Sequence, residues 1–380
     1  MTKKKILFLT ATRAEFGKLK PLIRAVEKEE ELEAYIFVTG MHLFSKYGST
    51  GLEVAKAGFK KVYYYINQRP NDSLDIILAN TIYGLGNYLN ILKPDMLVIH
   101  GDRVEALAGA IVGAMNNIRV AHIEGGEVSG TVDESIRHAT SKLSHIHFVA
   151  NETSKKRLLQ MGEEEDSIFV IGSPDIDLMV SKDLPSLEEV KKYYEIPFDK
   201  YAILIYHPVT TNLHNLFHEM QQIVKAVIKS QKNYVVIYPN NDPGSDIIIE
   251  EYQQLKNNKN FRIFPSLRFE YFLVLLRNCE FIIGNSSAGI REAPFYGVPT
   301  INIGDRQNRR FFYESIFNVN PSENEILAAI NKVEGLKFPG TTYFGDGKSA
   351  ERFVDILKGT KIWNIKIQKF FIDRDISKYV

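Results

Sequence analysis

The stretch DMLVIHGDRVEALAGAIVGAMNNIRVAHIEGG, residues 95–126, contains two short apolar runs on either side of a longer helical pattern. Neither run alternates strictly between apolar and polar residues, which is typical of parallel strands that helices cover on both faces. The stretch therefore predicts a strand, a helix and a second, parallel strand, the unit from which doubly wound α/β sheets are built. Polar residues follow each strand at once: Asp102 and Arg103 after the first, Glu124 after the second.

The same alternation continues along the chain and predicts two domains. After Gly172 it lapses into the charged, proline-bearing segment 184–200 and restarts at YAILIYHP, residues 201–208. A chain of 380 residues is also too long for one ordinary core. We therefore predict an α/β protein with two doubly wound Rossmann-like domains that face a cleft.

The domain boundaries follow from this lapse in the pattern. We predict an N-terminal domain over residues 1–174 and a C-terminal domain over 175–355. The segment 356–380 is predicted to be a helical tail that crosses back and packs on the N-terminal domain, because it carries Trp363, Phe370 and other aromatic residues.

Composition limits the classes of partner. Lysine and arginine (47) nearly cancel aspartate and glutamate (46), so no overall field would attract nucleic acid or a membrane surface. The single cysteine, Cys279, excludes an internal disulfide framework and suits a reducing compartment. The first apolar run ends before Arg13, too early for a signal peptide, and no apolar stretch reaches the length of a membrane span. We predict a cytoplasmic protein.

The chain contains one candidate phosphate site. The first β–α turn, residues 10–20, lacks the G-x-G-x-x-G spacing that brings the backbone close to a dinucleotide pyrophosphate, so nicotinamide and flavin chemistry are not expected. The stretch GNSSAGIRE, residues 284–292, instead places Ser286 and Ser287 at a predicted helix N-terminus, where free N–H groups would hold phosphate oxygens. Ordinary N-capping by serine explains the same residues equally well.

Charged residues near this site could complete it. Glu292 could accept hydrogen bonds from hydroxyl groups, and arginine or lysine could bind the anion. Each cation could also be a solvated surface charge. The candidate cations are Arg13, Lys18, Arg103, Arg291 and Arg306.

Acidic residues and a histidine form a second constellation. Asp102 and Glu124 end strands of the first half, Asp133 lies at the start of a helix, and His207 ends the first strand of the second half. Because the C-terminal ends of parallel strands in facing domains open into one cleft, these groups would meet on one substrate. They predict an acid–base site without a metal. Asp133 is also placed to cap its helix, and the glycines after Glu124 are expected to let the backbone pass close to a ligand.

Other candidates have ordinary structural explanations. His214 and His218 have the spacing of a helix-borne metal pair, but no third ligand is apparent, so a solvated helix face is expected. His145 and His147 alternate in a predicted strand, which is typical of structural histidines. The stretch GDGKSA at 345–350 resembles part of a phosphate loop but predicts a turn and a helix capped by Ser349.

Six motifs occur in order: TATRAEFGKLKPL, HGDRVEALA, HIEGGEVSGTVDESIRHATSKL, HPVTT, YPNNDPG and GNSSAGIREAPFYGVPTINIGDRQ. Together they closely resemble the hydrolysing UDP-N-acetylglucosamine 2-epimerases of sialic-acid biosynthesis, from about residue 4 to residue 310. The resemblance implies a glycosyltransferase-B-like fold and conversion of UDP-N-acetylglucosamine to free N-acetylmannosamine and UDP. It also implies a homodimer or homotetramer, and no metal or nicotinamide cofactor.

The resemblance assigns roles to individual positions. Gly17 departs from relatives that carry a serine there, so this position offers no hydroxyl contact to UDP. Lys18 and Arg291 are predicted as further UDP-binding residues from their place in the chain alone. The positions that match catalytic residues are Asp102, Glu124, Asp133 and His207. The positions that match UDP-binding residues are Arg13, Arg103, Asn240, Leu267 (through its backbone), Ser286, Ser287, Glu292 and Arg306.

The implied chemistry explains why several carboxylates are needed. The C2 proton of an N-acetylhexosamine is too weakly acidic for direct removal, so departure of UDP from C1 must first build oxocarbenium character. A carboxylate then takes the C2 proton, and a 2-acetamidoglycal forms. Water adds to the glycal while a second proton transfer at C2 creates the manno configuration. The sequence does not assign the carboxylates to these steps.

Alternative functions remain open at this point. A non-hydrolysing epimerase would return UDP to the glycal, but its pattern has GDTTT where this chain has GDRVE. A glycosyltransferase of the same fold would also bind a UDP-sugar, but it would need an acceptor and need not exchange the C2 proton. A non-catalytic UDP-sugar sensor would keep the phosphate site even if the carboxylates were inert. Close relatives act on a 6-deoxy-2,4-diacetamido sugar nucleotide in legionaminic-acid synthesis, and the sequence favours UDP-N-acetylglucosamine without showing the contacts to C4 and C6.

Overall fold

The computed structural model describes residues 3–44, 50–69 and 72–373. Within these residues the strands form a seven-stranded and a six-stranded sheet. The first sheet contains β1 (Lys4–Thr10), β2 (Leu32–Val38), β3 (Val62–Tyr64), β4 (Met96–His100), β5 (Arg119–Ile123), β6 (Ile146–Val149) and β7 (Ile168–Val170). The second contains β8 (Ala202–Ile205), β9 (Tyr234–Ile237), β10 (Phe261–Phe264), β11 (Ile282–Gly284), β12 (Thr300–Ile303) and β13 (Ile316–Val319).

Helices connect the strands and cover both sheets. Those of the first half are α1 (Arg13–Glu27), α2 (Gly51–Lys56), α3 (Leu74–Leu92), α4 (Val104–Met115), α5 (Val132–Leu143), α6 (Glu152–Gln160) and α7 (Pro174–Met179). Those of the second are α8 (Leu187–Tyr193), α9 (Leu216–Lys229), α10 (Ser245–Tyr252), α11 (Phe269–Asn278), α12 (Glu292–Phe295), α13 (Glu323–Val333) and α14 (Ser349–Lys358). None of the helices in the described part of the chain is long and apolar enough to cross a membrane.

Both sheets are doubly wound, as predicted. The first has the order β3-β2-β1-β4-β5-β6-β7 and the second β10-β9-β8-β11-β12-β13, and the strand pairs within each sheet are parallel. The direction of winding reverses between β1 and β4 in the first sheet and between β8 and β11 in the second. Ligands of open α/β sheets bind at such switch points.

The apolar strands are buried on both faces, which explains the absence of alternation in the sequence. In β1, Ile6 and Phe8 join a core cluster on one face, while Leu7 and Leu9 join a cluster on the other. Helices cover both faces, so each residue of the run meets apolar side chains.

The register of β4 and β5 brings their polar ends together. His100 at the end of β4 lies opposite Ile123 at the end of β5. The residues that follow, Asp102 and Glu124, therefore leave the sheet at the same edge.

The C-terminal helix crosses back to the first domain, as predicted, but it lies earlier in the chain than expected. The ring of Phe353 in α14 packs 4.8 Å from Phe148 and 6.3 Å from Phe8. The predicted helix over 356–380 is wrong: α14 ends at Lys358, only a short 3-10 turn follows at Ile362–Asn364, and 365–373 contains no helix. None of the residues 365–373 is buried, so this segment has no apolar face whose burial would stabilise a helix. Residues 374–380 lie outside the described residues.

The start of α14 also differs from the prediction. Ser349 does not cap the helix but occupies its first turn, and the cap comes from another helix. The carboxylate of Asp177 in α7 accepts hydrogen bonds from the backbone N–H and hydroxyl of Ser349 at 2.9 and 2.7 Å and from the N–H of Ala350 at 2.7 Å. A cap supplied across 172 residues of sequence leaves no local pattern.

The predicted boundaries at residues 174 and 355 stay predictions.

Candidate active site

Two adjoining cavities lie between the sheets, where the two switch points face each other. The first cavity has a volume of about 190 Å³ and the second about 140 Å³. Two larger grooves, of about 630 and 640 Å³, contain none of the predicted catalytic residues. The two cavities form one continuous cleft because they share the lining residues Thr12, Ala14, Lys18, His207, Asn240 and Ser287.

The first cavity gathers most of the predicted UDP-binding residues. Arg13 begins α1, and its Nη1 donates a hydrogen bond to the Ser266 hydroxyl at 2.9 Å, which connects the two halves. Burial raises the pKa of Glu292 to about 7 although Lys18 opposes this shift, so the carboxyl can donate or accept a hydrogen bond near neutral pH. The predicted residues that line this cavity are Arg13, Lys18, Asn240, Leu267, Ser286, Ser287 and Glu292.

The serine turn differs from the predicted helix N-terminus. Ser286 caps a 3-10 turn, Ser287–Gly289, and its hydroxyl accepts a hydrogen bond from the N–H of Ala288 at 3.3 Å. The α-helix that follows, α12, has only four residues, so little helix dipole points at the cleft. The ordinary capping role is confirmed for Ser286, and Ser287 remains free to line both cavities.

The second cavity gathers the predicted catalytic residues from both halves. These side chains come from the loops after β4, β5, β8 and β12 and from the first turn of α5. The structure therefore brings together groups that are far apart in sequence. The predicted residues that line this cavity are Asp102, Arg103, Glu124, Asp133, His207 and Arg306.

Glu124 has an unusual backbone conformation. Its φ angle is +70°, in the left-handed region that costs a residue with a Cβ atom about 1–2 kcal/mol. The following glycines pack against protein rather than against open space for a ligand, contrary to expectation. A Cβ atom on Gly126 would lie 2.3 Å from the backbone oxygen of Ser154, and one on Gly130 would lie 2.1 Å from that of Asp305.

The carboxylate of Glu124 is buried among basic side chains. Its Oε2 lies 3.0 Å from Nε2 of His100 and 3.5 Å from Nζ of Lys18. Its Oε1 lies 2.8 Å from Nη2 of Arg310 and 3.2 Å from Nη1 of Arg291. Burial opposes ionisation, but the surrounding positive charge, led by Arg291, holds the pKa of Glu124 well below its usual range. Glu124 is therefore a carboxylate at neutral pH.

Asp102 and Asp133 are neighbouring acids whose pKa values shift in opposite directions. Burial opposes ionisation of Asp102, but the guanidinium of Arg137, which it contacts directly, lowers its pKa. Burial and the nearby Asp102 raise the pKa of Asp133, although Arg306 lies 3.1 Å away and opposes this. The predicted capping role of Asp133 is wrong, because the Thr131 side chain caps α5 and accepts from the Asp133 N–H at 3.4 Å.

His207 is neutral and has a defined tautomer. Burial, together with Arg306 and Arg103, lowers its pKa well below the usual value. Its Nδ1 accepts a hydrogen bond from the backbone N–H of Asn240 at 3.2 Å, so the proton resides on Nε2. Because His207 lines both cavities, it can donate a hydrogen bond at their junction.

Arg103 and Arg306 approach the cleft from opposite sides. Arg103 donates to Asn241 Oδ1 at 2.9 Å and lies 3.4 Å from Glu105, which helps raise its pKa against the effect of burial. Arg306 donates to the backbone oxygen of Asn285 at 3.2 Å. Both side chains therefore have fixed positions.

Arg291 does not line either cavity, contrary to its predicted place in the phosphate site. Its side chain is fully buried and contacts Glu127 and the Ser173 hydroxyl. Glu127, which the sequence suggested was only a loop charge, is buried as well, with only 3% of its surface exposed. By contrast, Glu134 is a partly exposed first-turn charge that accepts from the Ser129 N–H at 2.7 Å.

Sequence reasoning did not single out Arg310 and His100, although both lie beside predicted residues. Arg310 stands in the run DRQNRR next to the exposed Arg309, and only burial distinguishes the two. His100 immediately precedes the GDR motif, which was the available signal.

The four histidines with ordinary predicted roles have structural or solvent roles. His147 Nε2 lies 2.9 Å from Glu163 in a buried pair, and His145 Nδ1 accepts from the Val120 N–H at 3.0 Å. His214 and His218 are exposed, as expected. Among the described residues, no group of three or more His, Cys, Asp or Glu side chains is arranged to hold a metal ion.

The chain is similar to known proteins over almost its whole length. The family model described as UDP-N-acetylglucosamine 2-epimerase matches residues 24–358. A UDP-N-acetylglucosamine 2-epimerase of Neisseria meningitidis is 48% identical over 377 residues, which cover 98% of this chain and 100% of the relative. The UDP-N,N'-diacetylbacillosamine 2-epimerase (hydrolyzing) of Legionella pneumophila is 34% identical over 362 residues, which cover 93% of this chain and 96% of the relative.

The fold is similar to that of a solved nucleotide-sugar complex. The UDP-GlcNAc 2-epimerase of Methanocaldococcus jannaschii, in complex with UDP-GlcNAc and UDP, has a TM-score of 0.80 and 27% identity. The similarity covers 93% of this chain and 99% of that one. The predicted glycosyltransferase-B-like architecture is confirmed.

Proposed function

The chain belongs to the UDP-N-acetylglucosamine 2-epimerase family, and we propose that it is a hydrolysing member. The proposed reaction converts UDP-N-acetylglucosamine and water to N-acetylmannosamine and UDP, as a step in nonulosonic (sialic) acid biosynthesis. The observation that carries the proposal is the second cavity, where Asp102, Glu124 and Asp133 meet beside a cavity suited to a nucleotide diphosphate.

The first step in this proposal is elimination of UDP. The C1–O bond breaks, and its electron pair leaves with the diphosphate toward Arg13, Arg306 and the Nε2–H of His207. A carboxylate stabilises the positive charge at C1 and then takes the C2 proton, so that a C1–C2 double bond forms. Glu124 and Asp102 suit this role because neighbouring cations lower the pKa of each and keep it ionised.

The second step is hydration of the glycal. A water molecule adds its oxygen to C1 and gives one of its protons to an ionised carboxylate of the cleft, while a protonated acid delivers a proton to C2 on the face that gives the manno configuration. Asp133 suits the delivery because burial and Asp102 raise its pKa. UDP is released as free nucleotide and does not return to the sugar.

The choice of substrate rests on similarity rather than on a contact to the sugar. The relative named UDP-N-acetylglucosamine 2-epimerase is 48% identical, and the relative named for diacetylbacillosamine is 34% identical. The name of the latter includes hydrolysis, and the GDRVE motif differs from the GDTTT of non-hydrolysing enzymes. The homo-oligomer, the cytoplasmic location and the roles of individual residues stay predictions.

The experiment incubates the purified protein with UDP-N-acetylglucosamine in deuterated water and identifies products by NMR. We expect free N-acetylmannosamine with deuterium at C2 and one equivalent of UDP. UDP-N-acetylmannosamine as the product would identify a non-hydrolysing epimerase, and unchanged substrate would reject this sugar. A parallel reaction with UDP-N,N'-diacetylbacillosamine tests the other substrate, and faster turnover of it would reverse our assignment.

A further inference from the structure

The two oxygens of the Glu124 carboxylate are held by different halves of the molecule. Oε2 faces Lys18 and His100, which belong to the first half. Oε1 faces Arg291 and Arg310, which follow β11 and β12 of the second half. The direction of this carboxylate therefore depends on how the two halves meet.

Glu127 connects these contacts to the first half. One of its oxygens contacts Nη1 of Arg291, and the other lies 2.9 Å from Nη2 of Arg310. Glu127 follows Glu124 by three residues on the same buried loop, and it does not line either cavity. It holds the two guanidinium groups at the places from which they contact Oε1 of Glu124.

Arg291 is better suited to this contact than to binding a phosphate. It has no exposed surface, and it is surrounded by three carboxylates: Glu127 in direct contact, Glu124 at 3.2 Å and Asp175 at 3.8 Å. A diphosphate could reach it only if these anions moved away. Its guanidinium also lies 4.8 Å from the ring of Phe344, which blocks a further side.

We propose that Arg291 is a positioning residue rather than a UDP ligand: with Glu127, it aligns the Glu124 carboxylate from the second half of the chain. The carboxylate is then correctly placed only while the two halves are in contact, so binding of UDP to the second half and acid–base chemistry in the first are coupled. This inference rests on the proposed function, because it assigns Glu124 a proton-transfer role.

The charge environment determines the expected pH effect. Arg291 is the group that most favours ionisation of Glu124, and its removal raises the pKa of that carboxyl. If this base must be ionised, the variant should lose activity at a higher pH than the wild type as the pH is lowered. The charged and titratable groups that face Glu124 are Lys18 from α1, His100 at the end of β4, Asp102 after β4, Glu127, Arg137 from α5, Asp175 from α7, Arg291 and Arg310.

Two variants test the proposal on the full chain. Arg291→Lys keeps the charge but loses the planar fork that reaches several partners, and we expect kcat to fall about tenfold at pH 8. The double variant Arg291→Gln/Glu127→Gln removes both members of a buried ion pair, so the cluster keeps its net charge and folding is retained. We expect its ratio of kcat at pH 5 to kcat at pH 8 to fall about tenfold relative to the wild type.

The matched control removes an exposed pair of the same type. Lys229 and Glu323 form an ion pair of 3.1 Å away from the cleft, and Lys229→Gln/Glu323→Gln should leave kcat and its pH profile unchanged. In both Arg291 variants the Kd for UDP, measured by calorimetry, should stay within about threefold of the wild type, because Arg291 lines neither cavity whereas Arg13 lines the first and Arg306 the second.

The outcomes separate this inference from the proposed function. If the wild type releases no UDP from UDP-N-acetylglucosamine, the proposed function fails. If the wild type is active but the double variant keeps its kcat and pH profile, only the positioning role is overturned. A UDP Kd weakened more than about tenfold by Arg291→Lys would make Arg291 a UDP ligand and also overturn it.

Discussion

Replacement of Glu124 by glutamine tests the acid–base site and its electrostatics together. The substitution removes one negative charge from between Lys18, Arg291 and Arg310 while it keeps the shape of the side chain. Loss of one partner from a buried ion pair costs about 3–5 kcal/mol when the other charge is left alone. Here each cation keeps another carboxylate, so we expect the free energy of unfolding to fall by only about 2–3 kcal/mol. The carboxylates that remain are Glu127, Asp175 and Glu292.

The effect on turnover should be far larger than the effect on binding. Removal of a proton-transfer group lowers rates by about 10²–10⁴-fold, so we expect Glu124→Gln to lose at least about a thousandfold in kcat. The Kd for UDP should stay within about threefold, because the ionised Glu124 has no hydrogen-bond donor for the diphosphate, unlike an arginine of the same cavity. UDP release, calorimetry and urea unfolding measure the three quantities, with the exposed Glu152→Gln as the control.

The pH dependence of stability gives a further check on the same variant. The folded pKa of Glu124 is lowered, so its contribution to stability is fully present above the unfolded pKa, near 4.5, and is lost as the pH falls through the folded pKa. The difference between wild type and Glu124→Gln in unfolding free energy should therefore be constant near pH 7 and shrink in acid. Turnover within tenfold of the wild type would refute the catalytic role, and equal stability at pH 7 would refute the electrostatic reasoning.

Three further substitutions test other parts of the structure. Asp102→Asn should lower kcat at least about a hundredfold with little change in the UDP Kd, and near-normal UDP release would remove Asp102 from the mechanism. Arg306→Ala should weaken UDP binding about tenfold or more, since a hydrogen bond to a charged group contributes about 1.5–3 kcal/mol; an unchanged Kd in calorimetry would contradict its place at the diphosphate. Asp177→Ala removes the cap of α14 and should cost about 1–2 kcal/mol in urea unfolding, whereas the exposed Asp199→Ala should cost almost nothing; equal losses would argue against the cap.

The fold could be predicted from local patterns because the strands are short and buried on both faces. Runs such as Ile6–Leu9 have no polar face, and this alone distinguishes parallel strands covered by helices from strands with one exposed face. The polar residues after each run could be placed in the cleft for the same reason, since parallel strands end at one edge. Helix caps were less predictable: Thr131 rather than Asp133 caps α5, and Asp177 caps α14 from a distant helix.

The sequence by itself determined the two doubly wound sheets and the family, because these depend on hydrophobic pattern and on motifs that are continuous in the chain. It also predicted which acids would lie in the cleft. Only the tertiary structure decided what each charge does. Glu124, Glu127, Arg291 and Arg310 are separated by up to 186 residues, yet they form one buried cluster. The energy of a charge depends on burial and on partners within a few ångströms, and the spacing of residues along a chain contains neither quantity.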